Sequence, residues 1–261
     1  MQPDTYQMLA ARQDHYWWHR ARRRMSIALL HHYGVAPGAH WLDLGCGAGG
    51  NLSVAQAFGP DLVVGIDLSP LAIGLARTKT ARVSLVQADI SFSLPLSNSS
   101  CDVATIFNVL YHEWISSEIA VLAEVARVLR PGGLVLLTEP AFPVLTRKMD
   151  DAAMTRKRYR RSELIELCRR AKLEVLLASY FTSFGFPLLL GLKAIRLIRA
   201  LWSGAQLGPE PDMLPLRPIV NETLHALAMI EATLIARNIR MPFGTTLLCL
   251  ARRTNGVATV Y

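Results

Sequence analysis

The sequence predicts an α/β protein built on a doubly wound parallel sheet. Three observations lead there. From His40 onward, apolar runs of strand length alternate with segments of helical period, the rhythm of parallel strands joined by crossover helices. The strand-length runs are rich in Val and Leu and barely alternate with polar residues, as strands covered on both faces should be. The first of them runs directly into Gly45-Cys46-Gly47-Ala48-Gly49-Gly50, a strand–turn–helix junction that leaves backbone N–H groups and a positive helix end beside a ligand.

The elements follow in order. Residues 1–38 lie outside the rhythm and read as a helical, aromatic-basic segment, with Tyr16-Trp17-Trp18 followed by Arg20, Arg22, Arg23 and Arg24. Rings interleaved with arginines suit a nucleic-acid clamp, a membrane contact or a lid over an anionic small molecule, and the local sequence leaves all three open. Trp41-Leu42-Asp43-Leu44 is the first strand, followed by the glycine loop and a helix through Val54–Phe58. Leu62–Asp67 is the second strand; Ser69 then caps a helix whose first position suits Pro70. Val83–Ala88 and, after a polar loop, Val103–Val109 give the third and fourth strands. A helix over Ile119–Leu129 ends at Arg130-Pro131-Gly132-Gly133, Leu134–Glu139 is the fifth strand, and a helix over Ser162–Ala171 leads to a sixth at Leu173–Phe181. Residues 182–243 break the rhythm again with two apolar helical stretches, Phe186–Trp202 and Glu222–Ile239, separated by a proline-rich turn region from Pro209 to Pro218. Gly244–Arg253 closes the chain as a last strand.

The organisation is therefore an N-terminal helical cap (1–38), a core (39–181 with 244–254) and a helical insertion (182–243) that serves an acceptor or a partner. The composition is greasy, with 51% hydrophobic and 18% charged residues and a mean hydropathy of +0.26. This points to a large core, a hydrophobic substrate, a homodimer face or a peripheral membrane contact. The net charge of +8 favours an anionic partner. Cys46, Cys101, Cys168 and Cys249 are scattered without a paired spacing, which fits a reducing compartment without structural zinc. The first residues, MQPDTYQ, lack an apolar signal core, and no uncharged apolar run of about 18 residues occurs, so a cytoplasmic protein is expected.

Gly45, Gly47 and Gly50 satisfy a dinucleotide-type spacing, with Asp67 twenty residues after Gly47. The carboxylates separate the cofactors. Asp43 at the end of the first strand would crowd a pyrophosphate but suits a positively charged ligand. Asp67 is placed to accept ribose hydroxyls, with Leu68 beside it, and Asp89-Ile90 places an acceptor where an adenine amine lies. Several carboxylates suit a sulfonium carrying an ammonium better than two phosphates.

On these residues the chain resembles the class I S-adenosylmethionine-dependent methyltransferases. Asp43-Leu44-Gly45-Cys46-Gly47-Ala48-Gly49 is similar to their first motif, Asp67 to their ribose acid, Asp89-Ile90 to the adenine contact, and Leu129-Arg130-Pro131-Gly132-Gly133 to the turn before strand five. The resemblance implies S-adenosyl-L-methionine as cofactor and a Rossmann-like sheet of seven strands, the last antiparallel and inserted between strands five and six. The whole length resembles a bacterial group of these enzymes associated with polysaccharide and natural-product pathways, through Tyr16-Trp17-Trp18 with Arg22-Arg23, Pro140-Ala141-Phe142, Asp150, Arg158-Tyr159 and Pro242-Phe243-Gly244-Thr245. That resemblance implies that the N-terminal helix caps the cofactor, with Tyr16 and Trp17 shielding it and Arg22 meeting its carboxylate, and that Asp150, Arg158 and Tyr159 face the substrate. It departs at Met149 and Thr155, where the group pattern has histidines, so the acceptor is expected to differ.

Asn108-Val109-Leu110-Tyr111-His112 ends the fourth strand, facing the methyl group in this fold. His112 is the candidate base, since a neutral imidazole can take a proton near neutral pH, with Tyr111 beside it and Asn108 at the cofactor. Cys46 lacks a neighbouring base and reads as a small filler. His15, His19, His31 and His32 lack supporting ligands at metal-like spacing, so no metal is expected. The run Arg156–Arg161 offers a grip for an anionic acceptor, and Lys193, Arg196 and Arg199 recur at helical spacing among leucines, as in a helix at a membrane interface. The predicted function is transfer of a methyl group from S-adenosylmethionine to a small-molecule or lipid-linked acceptor, most simply to oxygen. The alternatives are an RNA or tRNA methyltransferase and a non-catalytic cofactor-binding subunit.

Overall fold

A computed structural model describes residues 3–80, 82–146, 149–203 and 216–254. The proline-rich stretch up to Pro215 lies outside the described residues, as does the side chain of Arg196. Seven strands, β1 (His40–Leu44), β2 (Leu62–Asp67), β3 (Ser84–Gln87), β4 (Cys101–Phe107), β5 (Leu129–Pro140), β6 (Leu173–Phe181) and β7 (Thr246–Arg253), form one sheet in the order β3-β2-β1-β4-β5-β7-β6. All neighbours pair parallel except β7, which runs antiparallel to both β5 and β6. The expected antiparallel last strand between the fifth and sixth is present. The helices are α1 (Pro3–Arg12), α2 (Trp17–His32), α3 (Leu52–Gln56), α4 (Pro70–Lys79), α5 (Glu118–Val128), α6 (Met149–Ala152), α7 (Arg161–Arg170), α8 (Gly185–Ser203) and α9 (Pro218–Ala236).

The near-continuous apolar strands are explained by two cores, one on each face. Alternate residues of each strand point opposite ways. Leu42, Val64, Ala104 and Val135 pack with Val121, Leu122 and Val125 of α5 and with Leu164 and Cys168 of α7. Their neighbours Trp41, Val63, Val103 and Leu134 pack with Ala21, Met25 and Leu29 of α2, Val54 of α3, and Ala228, Ala232 and Ile235 of α9. Trp41 is the largest side chain of the second core and satisfies its indole by donating Nε1–H to Thr105 Oγ1 at 3.1 Å. The cap and the second insertion helix thus share one face of the sheet with the short helix after the glycine loop.

Local signals act as their chemistry dictates. Ser69 Oγ accepts the Ala72 amide at 3.3 Å with Pro70 at the first helical position. The expected helix over Val54–Phe58 starts and stops two residues earlier, because Phe58 leaves it to pack its ring 5.5 Å from Trp41. The turn at Pro131-Gly132-Gly133 is a bulge inside β5, where pairing with β4 shifts between Cys101 and Val103.

Two glycines generate opposite expectations. Gly45 holds φ +67° at the end of β1, and a Cβ there would lie 2.4 Å from Val109 Cγ2. Gly74 sits on the exposed side of α4 with nothing within 4 Å of a Cβ. Gly45→Ala should lower unfolding free energy by about 2 kcal/mol or more through strain and overlap. Gly74→Ala should raise it by about 0.5–1 kcal/mol through helix propensity. Chemical denaturation of both variants checks the pair.

Candidate functional site

A cavity of about 450 Å³ opens at the carboxyl ends of β1, β2 and β4, between the sheet and the helices of the cap and insertion. This is where ligands enter open α/β sheets, beside the point at which strand order reverses. Its wall includes Gly45, Cys46, Gly47, Asp67, Leu68, Asp89, Ile90 and Asn108 from the sheet, and Tyr16, Trp17 and Arg22 from the cap. Tyr111, His112, Asp150 and Arg158 also line it. Two sequence-predicted residues do not reach the wall, Asp43 and Tyr159.

At the glycine end the backbone leaves an open, polar turn. Gly47 holds φ +53° and has open space where a Cβ would stand. Asp67 Oδ2 accepts the Gly47 amide at 2.8 Å and Oδ1 the Ser69 amide at 2.9 Å, so the carboxylate is aimed before any ligand arrives. Burial raises its pKa, while those amides pull it back. Tyr6 of α1, which the sequence reading passed over, lies above this corner. Burial and the Asp67 charge push its phenol up to about 12. The helical period of a ten-residue segment carries no sign that Tyr6 reaches residue 67. Asp89 Oδ1 accepts the Ser91 amide at 2.8 Å. Cys46 is buried and its thiol pKa is raised, chiefly by burial, so it stays protonated.

The centre of the cavity carries an uncompensated cation. Arg22 is 3% exposed, and its two terminal nitrogens donate to Asn108 Oδ1 at 2.7 Å and Asn51 Oδ1 at 2.8 Å. Nε has no partner among the described residues. The guanidinium carbon lies 4.5 Å from the Trp18 ring and 5.2 Å from the Phe107 ring. Burial lowers its pKa to about 9, with Arg23 adding to the effect and Asp43 opposing it, so it remains charged at neutral pH. Asp43 is the complementary orphan. It is 2% exposed beneath the loop, with Oδ1 accepting from Thr105 Oγ1 at 2.7 Å and Oδ2 without a partner among the described residues. Burial raises its pKa to about 7. A buried cation and a buried carboxyl, each with an unused polar atom, match a zwitterion carrying both an α-carboxylate and an α-ammonium.

Next to this centre lies His112. It is 5% exposed, stacked at 4.1 Å on Trp114 and 4.1 Å from Tyr111, and its Nδ1 is unpartnered among the described residues. Burial lowers its pKa to about 4, with backbone hydrogen bonds at Met154 and Ala153 acting the other way. The loop that carries it is held from below by Glu139, which sequence reading treated as an ordinary strand residue. Its Oε1 accepts the amides of Val109 and Leu110 at 3.2 and 2.9 Å. Tyr159 also works from beneath, donating its hydroxyl to Leu110 O at 2.9 Å and to Glu118 Oε1 at 3.1 Å, which explains why it lies off the wall.

The basic run after α6 differs from a free anion grip. Arg156 and Lys157 pair with Glu118 at 2.6 and 2.7 Å, and Lys157 also reaches Glu163. Arg158 is bidentate on Asp150, with Nε and Nη2 each at 2.7 Å from a carboxylate oxygen. Long-range carboxylates that sequence spacing does not reveal take up these charges. The remaining wall, Trp114, Phe184, Leu188, Leu189 and Leu224, is apolar and aromatic.

Residues 42–137 match the family described as a methyltransferase domain. The chain is 36% identical over 117 residues to a demethylmenaquinone methyltransferase of Staphylococcus aureus, covering 43% of this chain and 47% of that protein. It is 33% identical over 118 residues to an O-methyltransferase of Pyrenophora dematioidea, covering 43% of each. The chain thus spans less than half the length of these two relatives. Among solved structures, the methyltransferase in a complex with the Haloferax volcanii Trm112 methyltransferase activator has a TM-score of 0.62 at 20% identity, over 97% of this chain and 98% of that one. The sheet is that of a Rossmann-like methyltransferase fold, and the cofactor of such a domain is S-adenosyl-L-methionine, whose zwitterionic end and ribose fit the residues above.

Glu139 sets a pH dependence. Burial raises its carboxyl from 4.5 to about 8 in the folded state, with the amides of Leu110, Val109 and Tyr111 opposing. A raised acid contributes its stability below the unfolded pKa and loses it as pH climbs through the folded one. Glu139→Gln keeps the accepting oxygen without the titration. It should match the parent near pH 4.5 and exceed it in unfolding free energy by pH 8, as denaturation across that range will read.

Proposed function

We propose that the chain is a methyltransferase acting on an oxygen of a small or lipid-like, largely apolar acceptor. The observation that carries this reading is the presence of incompletely satisfied opposite charges, Arg22 and Asp43, near Asp67 and a neutral imidazole whose Nδ1 has no partner among the described residues. Bound S-adenosylmethionine supplies a methyl group on a sulfonium, already activated for in-line attack. The protein's own share is binding, alignment and dehydration.

In this reading Asp67 accepts the ribose hydroxyls, Asp89 and Ile90 border the adenine, and Gly45, Cys46, Gly47 and Leu68 supply the cradle. Arg22 receives the carboxylate, with Asn108 fixing the guanidinium, and Asp43 acts from beneath the loop on the ammonium. Tyr16 and Trp17 shield the reacting end from water. His112 Nδ1 holds the lone pair that takes the acceptor's proton, and Tyr111 confines the acceptor against it. The matched Asp150–Arg158 pair offers hydrogen-bonding edges without net charge, which favours a neutral acceptor over a phosphate. The apolar wall supports the same class, as do relatives named for O-methylation and for demethylmenaquinone. The cap and the insertion are proposed to build the acceptor chamber over the core.

Use of the basic segments as an RNA footprint receives less support. Arg20 pairs with Glu222, Arg22 faces the cavity, and Arg23 donates to Gln13 O. These contacts hold the aromatic-basic segment as a lid.

Two measurements test the reading. Asp67→Ala should weaken S-adenosylmethionine binding by about tenfold or more in calorimetry, from the loss of charge-assisted hydrogen bonds; unchanged affinity removes the ribose assignment. His112→Ala should cut turnover while leaving cofactor affinity within about twofold, the split of a group used in the reaction step. Because the His112 pKa is lowered to about 4, the acidic limb of the parent's rate profile should fall only as pH drops towards that value. A profile that titrates near 6.5 would contradict the buried-imidazole assignment.

A further inference from the structure

We propose that α8 and α9 form a docking face for an anionic lipid surface, onto which the cavity opens. On α9, Ile219, Val220, Leu227 and Ile230 are 74%, 41%, 44% and 62% exposed. At about 100° per residue these fall on one side of the helix, together with Thr223, Ala226 and Thr233, and that side carries no charge. The opposite side, with His225, Ala228, Glu231, Ala232 and Ile235, is buried against the protein. The helix is 19 residues long and apolar enough to cross a bilayer by length and composition. With one flank packed on the fold it lies along a surface instead of through it. A helix that merely completed a core would bury the apolar side that α9 presents.

The preceding helix, α8, carries a similar apolar stripe, with exposed Arg199 within it. Leu188, Leu192, Ile195 and Trp202 of α8 are 57%, 49%, 51% and 89% exposed and recur at three-, four- and seven-residue spacing. An indole this open at a helix end is the side chain expected at a headgroup boundary. Leu188 also lines the cavity, with Leu189 of the same helix and Leu224 of α9. The outer apolar face is therefore continuous with the inner apolar wall, so an acceptor dissolved in lipid can pass from one to the other without crossing water.

Charge selects the partner. Exposed Arg217 and Arg237 bracket α9 at its N-cap and C-cap, and exposed Arg240 follows the helix end by four residues. Glu222, the acid nearest the face on α9, is neutralised by Arg20 at 2.5 Å. The chain's net charge of +8 adds a long-range attraction of the same sign. Apolar ground framed by arginines on α9 and carrying exposed Arg199 on α8 fits anionic headgroups over acyl chains; a protein partner or second copy would need matching acids.

The face stands on exposure and charge, whatever reaction the cavity performs, and its test is separate from cofactor binding. The full chain is sedimented with vesicles of phosphatidylcholine alone and of phosphatidylcholine mixed with phosphatidylglycerol. Binding should be stronger to the mixed vesicles and weaken with salt, with a blue shift of tryptophan emission that Trp202→Phe largely removes. The double substitution Ile219→Glu and Ile230→Glu, at exposed positions, should keep S-adenosylmethionine affinity and far-ultraviolet dichroism while losing vesicle binding by about tenfold or more. Absence of binding to either vesicle, or binding untouched by the double substitution, overturns the proposal. So does a dimer in light scattering that the same substitutions dissolve without any vesicle binding, which would assign the face to a second copy.

Discussion

The structure is organised around an arginine that its own fold leaves incompletely satisfied. Arg22 is buried among rings, bonded to two neutral amide oxygens, and keeps an unused Nε. Taking a guanidinium out of water costs several kcal/mol unless an anion or a full set of hydrogen bonds replaces it. The protein provides part of that compensation through Asn51, Asn108, the faces of Trp18 and Phe107, and the more distant field of Asp43. The rest is left for a ligand. Asp43 is held in the mirror situation, its second oxygen unpaired and its proton retained to about pH 7 by burial. An anionic group of a ligand would complete the set around Arg22, whereas Asp43, beneath the loop, acts on a cationic group through its field alone.

That arrangement explains why the cap belongs to the site and is not a decoration on it. The core supplies the glycine turn and Asp67, whose carboxylate is held by the Gly47 and Ser69 amides. The cation comes from α2, and α2 is placed by packing Ala21, Met25, Leu29 and Leu30 into the second core. Ser26 Oγ bonds back to the Arg22 carbonyl at 2.9 Å, one turn away, fixing the helix where the arginine projects.

How far the sequence disclosed this follows the range of the forces involved. The strands themselves, the glycine turn, Asp67 and the Ser69 cap are set by local backbone chemistry and by hydrophobic period and are readable from short windows, whereas the place of the last strand in the sheet came through the family resemblance. Arg22 and the Tyr16-Trp17 pair were reachable through a whole-length resemblance, since nothing within the segment chooses lid over clamp. What escaped were partners far apart in the chain. Glu118 absorbs Arg156 and Lys157 from nearly forty residues away, turning an apparent anion grip into a closed ion network. Glu139 and Tyr159 support the loop of His112 from below, and Tyr6 arrives over Asp67 from a helix whose composition is unremarked. A carboxylate that ends a strand has the same one-letter signature on the wall as beneath it, and Asp43 lies beneath.

The two ends of the cavity are joined mechanically as well as spatially. The Trp17 amide donates to Asn221 Oδ1 at 2.9 Å, and Asn221 Nδ2 returns to His15 O at 3.1 Å, so the entry to α2 is stitched to the first turn of α9. Arg20 adds its ion pair with Glu222, and the Trp17 ring lies 5.6 Å from Phe184 at the start of the insertion. Trp18 donates to Thr246 Oγ1 at 3.2 Å, tying the same turn to the last strand. The cap residues on the cavity wall are therefore fastened to the helices that supply its apolar side. A displacement of α9 large enough to admit a bulky acceptor would pull on residues 15–20, one turn from Arg22. Ordering of the arginine by a bound carboxylate would in turn stiffen the wall the acceptor meets. The two ends of the cavity thus share one set of hydrogen bonds.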